Sequence, residues 1–120
     1  DRACEEAYPL SVSEAEPAVA DWEPMIRAVL RDRAAGEPVA RISARFHNAL
    51  AAFAVAVARR WGGQDVVLTG GCFQNRLLTE RTRQRLLEAG FRVFMHHQVP
   101  PGDGGITLGQ VLVAIRQLNR

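Results

Sequence analysis

Val66-Val67-Leu68-Thr69-Gly70-Gly71-Cys72-Phe73-Gln74-Asn75 is the stretch that decides the fold of this chain. An apolar, β-branched run stops at Thr69, two glycines follow, and helical periodicity begins near Asn75. A strand that ends in Gly-Gly before a helix leaves bare backbone at the carboxyl edge of a sheet, where α/β proteins place ligands. Without a Cβ, Gly70 and Gly71 let a nucleotide approach the main chain and meet its N–H groups. The helix N-terminus behind them favours a phosphate electrostatically. An ordinary βα turn, in which glycine only supplies an unusual φ, has the same local pattern. A second run, Pro100-Pro101-Gly102-Asp103-Gly104-Gly105, also follows a short strand and precedes a helix. Two such units in tandem place both glycine turns on one rim of a parallel sheet.

Working outward, the spacing predicts a helix over residues 75–89 that buries Leu78, Thr82 and Leu86 and exposes Glu80, Arg81 and Arg83, with Gly90 as its C-cap. Residues 91–95 read as a second short strand. Residues 104–118 read as a last helix carrying Leu108, Val111, Leu112, Ile115 and Leu118. Upstream, the strand 65–69 has no polar interruption, as in a parallel sheet covered on both faces. Gly62-Gly63 stops a long helix that begins at Glu37-Pro38. Its Ile42, Phe46, Ala49, Phe53, Val57 and Trp61 recur at three- and four-residue steps. Asp21 is placed to cap an earlier helix with Glu23 and Pro24 in its first turn and Met25, Ile26, Val29 and Leu30 as its stripe. Gly36 ends that helix. Residues 1–20 read as an edge strand at 8–12 and a loop at 13–20.

The fold class is therefore α/β, with helices on a small parallel sheet. Residues 1–120 form a single segment: edge strand and loop, then helix-helix-strand-helix-strand-helix over 21–120. A complete doubly wound domain has more strands than this. The segment reads as the back half of a larger domain, with exposed apolar surface that drives self-association.

All fifteen basic residues are arginine. A catalytic lysine or a P-loop lysine is thereby excluded from this segment, and a phosphate must be held by backbone N–H groups, arginine or a metal. The formal charge is only +2 and the arginines are interleaved with acids, so no nucleic-acid partner is expected. Cys4 and Cys72 make neither a disulfide framework nor a zinc motif, and Cys72 is expected to be a small buried hydrophobe. The first six residues are polar and lack the apolar core of a secretory signal. The longest apolar stretch, 49–58, is about half of what a membrane span needs. A soluble, cytoplasmic chain with no membrane partner is expected.

Asp103 is the leading candidate for chemistry. A carboxylate among three glycines at a helix start is either an N-cap or a hard oxygen ligand for a metal that also holds a nucleotide phosphate. His96 and His97 are adjacent on a strand and point to opposite faces, so one is expected to be buried or hydrogen-bonded and the other exposed. His47, beside Phe46, reads as a satisfied helix histidine. Asn75 either caps its helix or binds a ligand, and Arg76 is either an exposed helix arginine or a phosphate partner. There is no G-x-S-x-G, no H-E-x-x-H and no paired-carboxylate motif, so serine-triad hydrolysis has no support. No catalytic residue is assigned.

Phe46-His47-Asn48, the Gly70-Gly71-Cys72-Phe73-Gln74-Asn75 run, and Val99-Pro100-Pro101-Gly102-Asp103-Gly104-Gly105-Ile106 with Leu108-Gly109-Gln110 together resemble the C-terminal end of the HypF family, carbamoyltransferases of NiFe-hydrogenase maturation. The match runs from about Tyr8 onward. The resemblance implies the C-terminal half of an actin-like, RNase H-like ATPase domain. It implies that Gly70, Gly71 and Asn75 belong to the nucleotide site and that Asp103 is a metal ligand. It implies ATP and carbamoyl-adenylate as cofactor and intermediate, a divalent metal, carbamoyl phosphate as substrate, and a HypE-like partner whose C-terminal cysteine receives the carbamoyl group. The family's metal site also draws on a histidine pair in an H-x-x-x-H motif, which this chain lacks. Two further classes remain at this point: a non-catalytic interaction module, and half of another actin-like enzyme such as a sugar kinase.

Overall fold

The computed structural model describes residues 3–119. Ser11–Val12 (β1) and Ala20–Asp21 (β2) pair antiparallel in a ribbon that joins no other sheet. The edge strand expected over 8–12 is thus reduced to two residues, and its partner comes from the end of the expected loop. Tyr8 goes to the core instead. Its ring is buried with Met25, Ala28 and Ala49. Its hydroxyl donates to Asp32 Oδ2 at 2.6 Å.

Glu23–Ala34 (α1) starts with Pro24 in its first turn, where a missing N–H costs nothing. Asp21 accepts from the Glu23 N–H at 3.1 Å, one residue ahead of the N-cap position, which Trp22 fills without a side-chain bond. The buried stripe is Met25 and Ala28 rather than the expected set, since Ile26 and Leu30 face solvent. The stripe turns because Asp32, one helical turn on from Ala28, is drawn inward by Tyr8 and Arg45.

Val39–Trp61 (α2) ends at Gly62, whose φ of 71° is the left-handed C-cap conformation. Its deepest face is Ala44, Asn48, Ala51 and Val55, with Ala49 beside it. The bulky residues of the predicted stripe lie at its flanks, and Trp61 is 70% exposed. Small side chains hold this face because Arg76–Glu88 (α3) lies against it. Leu78, Thr82 and Leu86 of α3 are buried as the periodicity predicts. Arg81 is not the exposed arginine expected: it donates to Cys4 O at 2.9 Å and to Asn48 Oδ1. Asn48 in turn donates to Cys4 O at 2.8 Å and Glu6 O at 2.7 Å. A fully buried amide with both ends satisfied pins the N-terminal segment to α2 and α3.

Asp65–Leu68 (β3) and Arg92–Met95 (β4) are parallel neighbours, with Val66 opposite Val93 and Val67 opposite Phe94. Val66, Leu68, Val93 and Met95 pack against Val55 and Leu86. The opposite face is open: Val67 is 61% and Phe94 51% exposed. The strand expected to be covered on both faces is covered on one. The last helix, Ile106–Leu118 (α4), buries none of its side chains. It reaches away from the other elements, and the chain measures 61 × 32 × 25 Å. No helix among the described residues is long and apolar enough to cross a membrane.

Candidate functional site

Both glycine turns lie at the carboxyl ends of β3 and β4. β3 runs out at Leu68, and Gly70 follows with φ 100° and ψ 158°, a conformation that an L side chain resists. Gly71–Gln74 then forms a 3-10 turn, and Asn75 begins α3. From β4 the chain runs through Pro100 and Pro101 to a second 3-10 turn, Asp103–Gly105, and on into α4. The Gly70 N–H donates to Pro101 O at 2.6 Å. The Thr69 hydroxyl also donates to Pro101 O, at 3.4 Å, and accepts from His96 Nε2 at 3.0 Å. The two turns therefore meet on one rim, as the tandem strand-glycine-helix units require. A cavity of about 510 Å³ opens there, with Thr69, Gly70 and Asp103 on its polar side and Pro100, Ile106 and Leu112 on its apolar side.

The 3-10 turn leaves donors free. Its first amides, Gly71 and Cys72, donate to no protein acceptor among the described residues. Two adjacent free N–H groups ahead of a helix suit an anion. The Cys72 side chain is exposed, not buried as expected. The turn is too short to bring it back under the sheet, and Phe73 takes the core position.

Asn75 does cap α3: its Oδ1 accepts from Leu78 N at 3.1 Å. Its Nδ2 donates to His47 Nε2 at 3.0 Å. The His47 Nδ1–H donates to Ser43 O at 2.7 Å, so Nε2 is the bare nitrogen that accepts. His47 is the satisfied helix histidine expected, but its second partner is a candidate ligand residue 28 positions away, which no local spacing announces. Arg76 is held by Glu80 at 2.6 Å, which raises its pKa.

Asp103 is exposed, and its side chain caps neither its own 3-10 turn nor α4. The capping alternative thus has no hydrogen bond behind it. The histidine pair lies beyond β4, which ends at Met95, so the two are not on the strand as expected. Both are exposed, and His96 is hydrogen-bonded to Thr69. Among the described residues no three His, Cys, Asp or Glu side chains converge on a metal position. A second cavity of about 510 Å³ lies between Cys4, Asn48, Arg81 and Arg85, away from both glycine turns and walled by mixed charge.

The family model for the second subdomain of the carbamoyltransferase Kae1-like domain matches residues 1–110. This chain belongs to the HypF family. The carbamoyltransferase HypF of Synechocystis is 39% identical over 113 residues, covering 93% of this chain and 14% of that protein. The HypF of Rhodobacter capsulatus is 44% identical over 89 residues, or 71% of this chain and 12% of its own. The crystal structure of full-length HypF in its phosphate- and nucleotide-bound form superposes with a TM-score of 0.88 at 37% identity, covering 97% of this chain and 16% of that one. T. kodakarensis HypF gives 0.71 at 32% identity, covering 94% and 15%. The chain therefore corresponds to a C-terminal segment of HypF, about one seventh of its relatives' length. Membership in a carbamoyltransferase family takes the place of the sugar-kinase alternative.

Proposed function

We propose that this chain forms one wall of the nucleotide site in a HypF-type carbamoyltransferase. Such an enzyme uses carbamoyl phosphate and ATP to make carbamoyl-adenylate and passes the carbamoyl group to the C-terminal cysteine of a HypE-like partner. The observation that carries the reading is the Gly70–Pro101 hydrogen bond, which sets Gly70 and Asp103 around one cavity, with Gly71 next in the chain. The free amides of Gly71 and Cys72 and the start of α3 receive phosphate oxygens. The apolar side of the cavity, Pro100, Ile106 and Leu112, shelters an aromatic base from water. Asn75 contributes a side-chain amide donor. Arg76 stays with Glu80 and is not assigned to phosphate.

Asp103 fits a divalent cation as one ligand. It is an exposed hard oxygen donor with no capping bond to give up. The remaining ligands of the set lie outside this chain. When bound, such a cation offsets charge on the phosphate that leaves during acyl transfer. The segment's own residues position the nucleotide and contribute one ligand to the cation. They are expected to bind ATP more weakly than about 1 mM and to transfer no carbamoyl group by themselves.

Titrating the isotope-labelled chain with ATP tests the reading. Shifts concentrated at Gly70, Gly71, Cys72 and Asn75 support it. Shifts confined to the second cavity at Arg81 and Arg85, or none on the rim at saturating ATP, would overturn it.

A further inference from the structure

We infer that His47 is a positioning residue for nucleotide recognition, acting through Asn75. The inference rests on the nucleotide reading of the rim and adds a residue from a different element to it. Asn75 has one oxygen and two N–H groups to place. Leu78 N–H holds the oxygen at 3.1 Å and His47 Nε2 takes one N–H at 3.0 Å. Among the described residues the second N–H meets no protein acceptor, and Asn75 is exposed, so this donor is left for a ligand.

The helix cap alone does not fix that arrangement. An amide whose oxygen is held still rocks about its terminal torsion, which is broad and shallow. His47 removes this freedom, because its own orientation is fixed twice. Nδ1 is bound to Ser43 O at 2.7 Å, which sets the tautomer and leaves Nε2 as a pure acceptor. The Phe46 ring packs edge-on at 6.1 Å between centroids. α2 is the longest helix of the chain and is pinned by buried Asn48 one residue on, so the acceptor stands on a rigid element. The rim is thereby oriented from two sides: Pro101 holds the Gly70 backbone, and His47 holds the Asn75 side chain.

The test uses the isotope-labelled 120-residue chain with ATP as the probe, comparing wild type, His47→Ala and His47→Gln. Glutamine keeps a side-chain oxygen that accepts from Asn75. Without nucleotide, the wild-type spectrum is expected to show His47 protonated on Nδ1. The Asn75 side-chain amide pair should move to the position of a free asparagine in His47→Ala but not in His47→Gln. With ATP, the response at Gly71 and Asn75 should weaken about fivefold in His47→Ala, the worth of one ordered hydrogen bond, and return to within about twofold in His47→Gln. A purely structural role would lower the melting temperature without this split between the two variants. An Asn75 amide indifferent to His47→Ala, or an unchanged ATP response, overturns the inference. So does a wild-type His47 protonated on Nε2 alone, a measurement that needs no substitution. If Asn75 responds to His47 but ATP moves nothing on the rim, the nucleotide reading fails, and this inference falls with it by a separable observation.

Discussion

The amide of Gly70 donates to the carbonyl of Pro101 at 2.6 Å, and this bond, with the Thr69 hydroxyl on the same carbonyl, joins the turn after β3 to the turn after β4. Gly70 makes it from φ 100°. Two adjacent glycines thus differ in what they contribute. Gly70 supplies a backbone conformation, while Gly71 has an ordinary φ and open space around the position of a Cβ. Gly70→Ala should destabilise the chain by about 1–3 kcal/mol through strain alone. Gly71→Ala should melt within about 0.5 kcal/mol of wild type, as surface substitutions do, yet blunt the ATP response by crowding a free amide. Parallel melting curves and ATP titrations check both. A Gly71→Ala chain with a wild-type ATP response would remove the close-approach argument.

The parts of this architecture that depend on local chemistry were legible in the sequence. The α3 stripe Leu78, Thr82 and Leu86 follows from helical spacing. The parallel β3–β4 pair and the shared rim follow from two strand-glycine-helix units in tandem. Long-range polar contacts were not legible. Nothing near Arg81 announces Asn48 and Cys4 O, and nothing near Asn75 announces His47. Pro101 contributes a carbonyl, which has no side-chain signature at all. The α2 stripe misled for a packing reason. Size marks hydrophobicity in a sequence, but the face that meets α3 closely needs alanine. The β3 run read as covered on both faces because it has no polar interruption, but within the described residues only the Val66 and Leu68 face meets a partner.

Asp103→Asn separates ligand from cap more cleanly than the sequence alone allows. Asparagine caps about as well as aspartate, and Asp103 makes no capping bond to lose. The substitution should leave melting within about 0.5 kcal/mol. Placed in a full-length HypF-type enzyme, it should abolish carbamoyl transfer and lower bound divalent metal, on the proposed function. Normal metal content with a near-normal rate would strike Asp103 from the site.

The ion pairs of Arg45 with Glu6 and Asp32, together with the Tyr8–Asp32 bond, predict a stability window in pH. Hydrogen bonds and charge from Arg45 hold Glu6 below the usual carboxylate range, and the Tyr8 hydroxyl, with Arg45 behind it, does the same for Asp32. Both contributions are present above the unfolded-state values and fade as pH falls through the folded ones. Tyr8 runs the other way. Burial, and then its bond to Asp32, push the phenol up to about 12 from 10.0. Its contribution is complete below 10.0 and is lost as pH rises toward about 12. Tyr8 is the sole tyrosine, so tyrosinate absorbance reports it alone. The expected trace shows ionisation delayed past the ordinary value and coincident with a loss of melting temperature. A normal phenol titration in the folded chain would show that Tyr8 is not buried and bonded to Asp32 as described.

The last prediction concerns α4, which is apolar apart from Thr107, Gln110, Arg116 and Gln117 yet has no buried residue. Val113 is 56% exposed and Leu118 86% exposed, and Val67 and Phe94 stand open on the sheet. Apolar surface of this extent gains roughly 25 cal/mol for each Å² it removes from water, so at high concentration the isolated chain should self-associate. Val113→Glu combined with Leu118→Glu should shift the sedimentation profile toward monomer. It should leave melting of the remainder almost unchanged, because both side chains are largely exposed. Phe94→Thr on the open sheet face tests the other surface and keeps β-propensity. If only the α4 variant dissociates the assembly, α4 is the contact; if only the sheet variant does, the contact is the uncovered face of β3 and β4. A wild-type chain that sediments as a monomer at high concentration would show that neither surface suffices to hold two copies together.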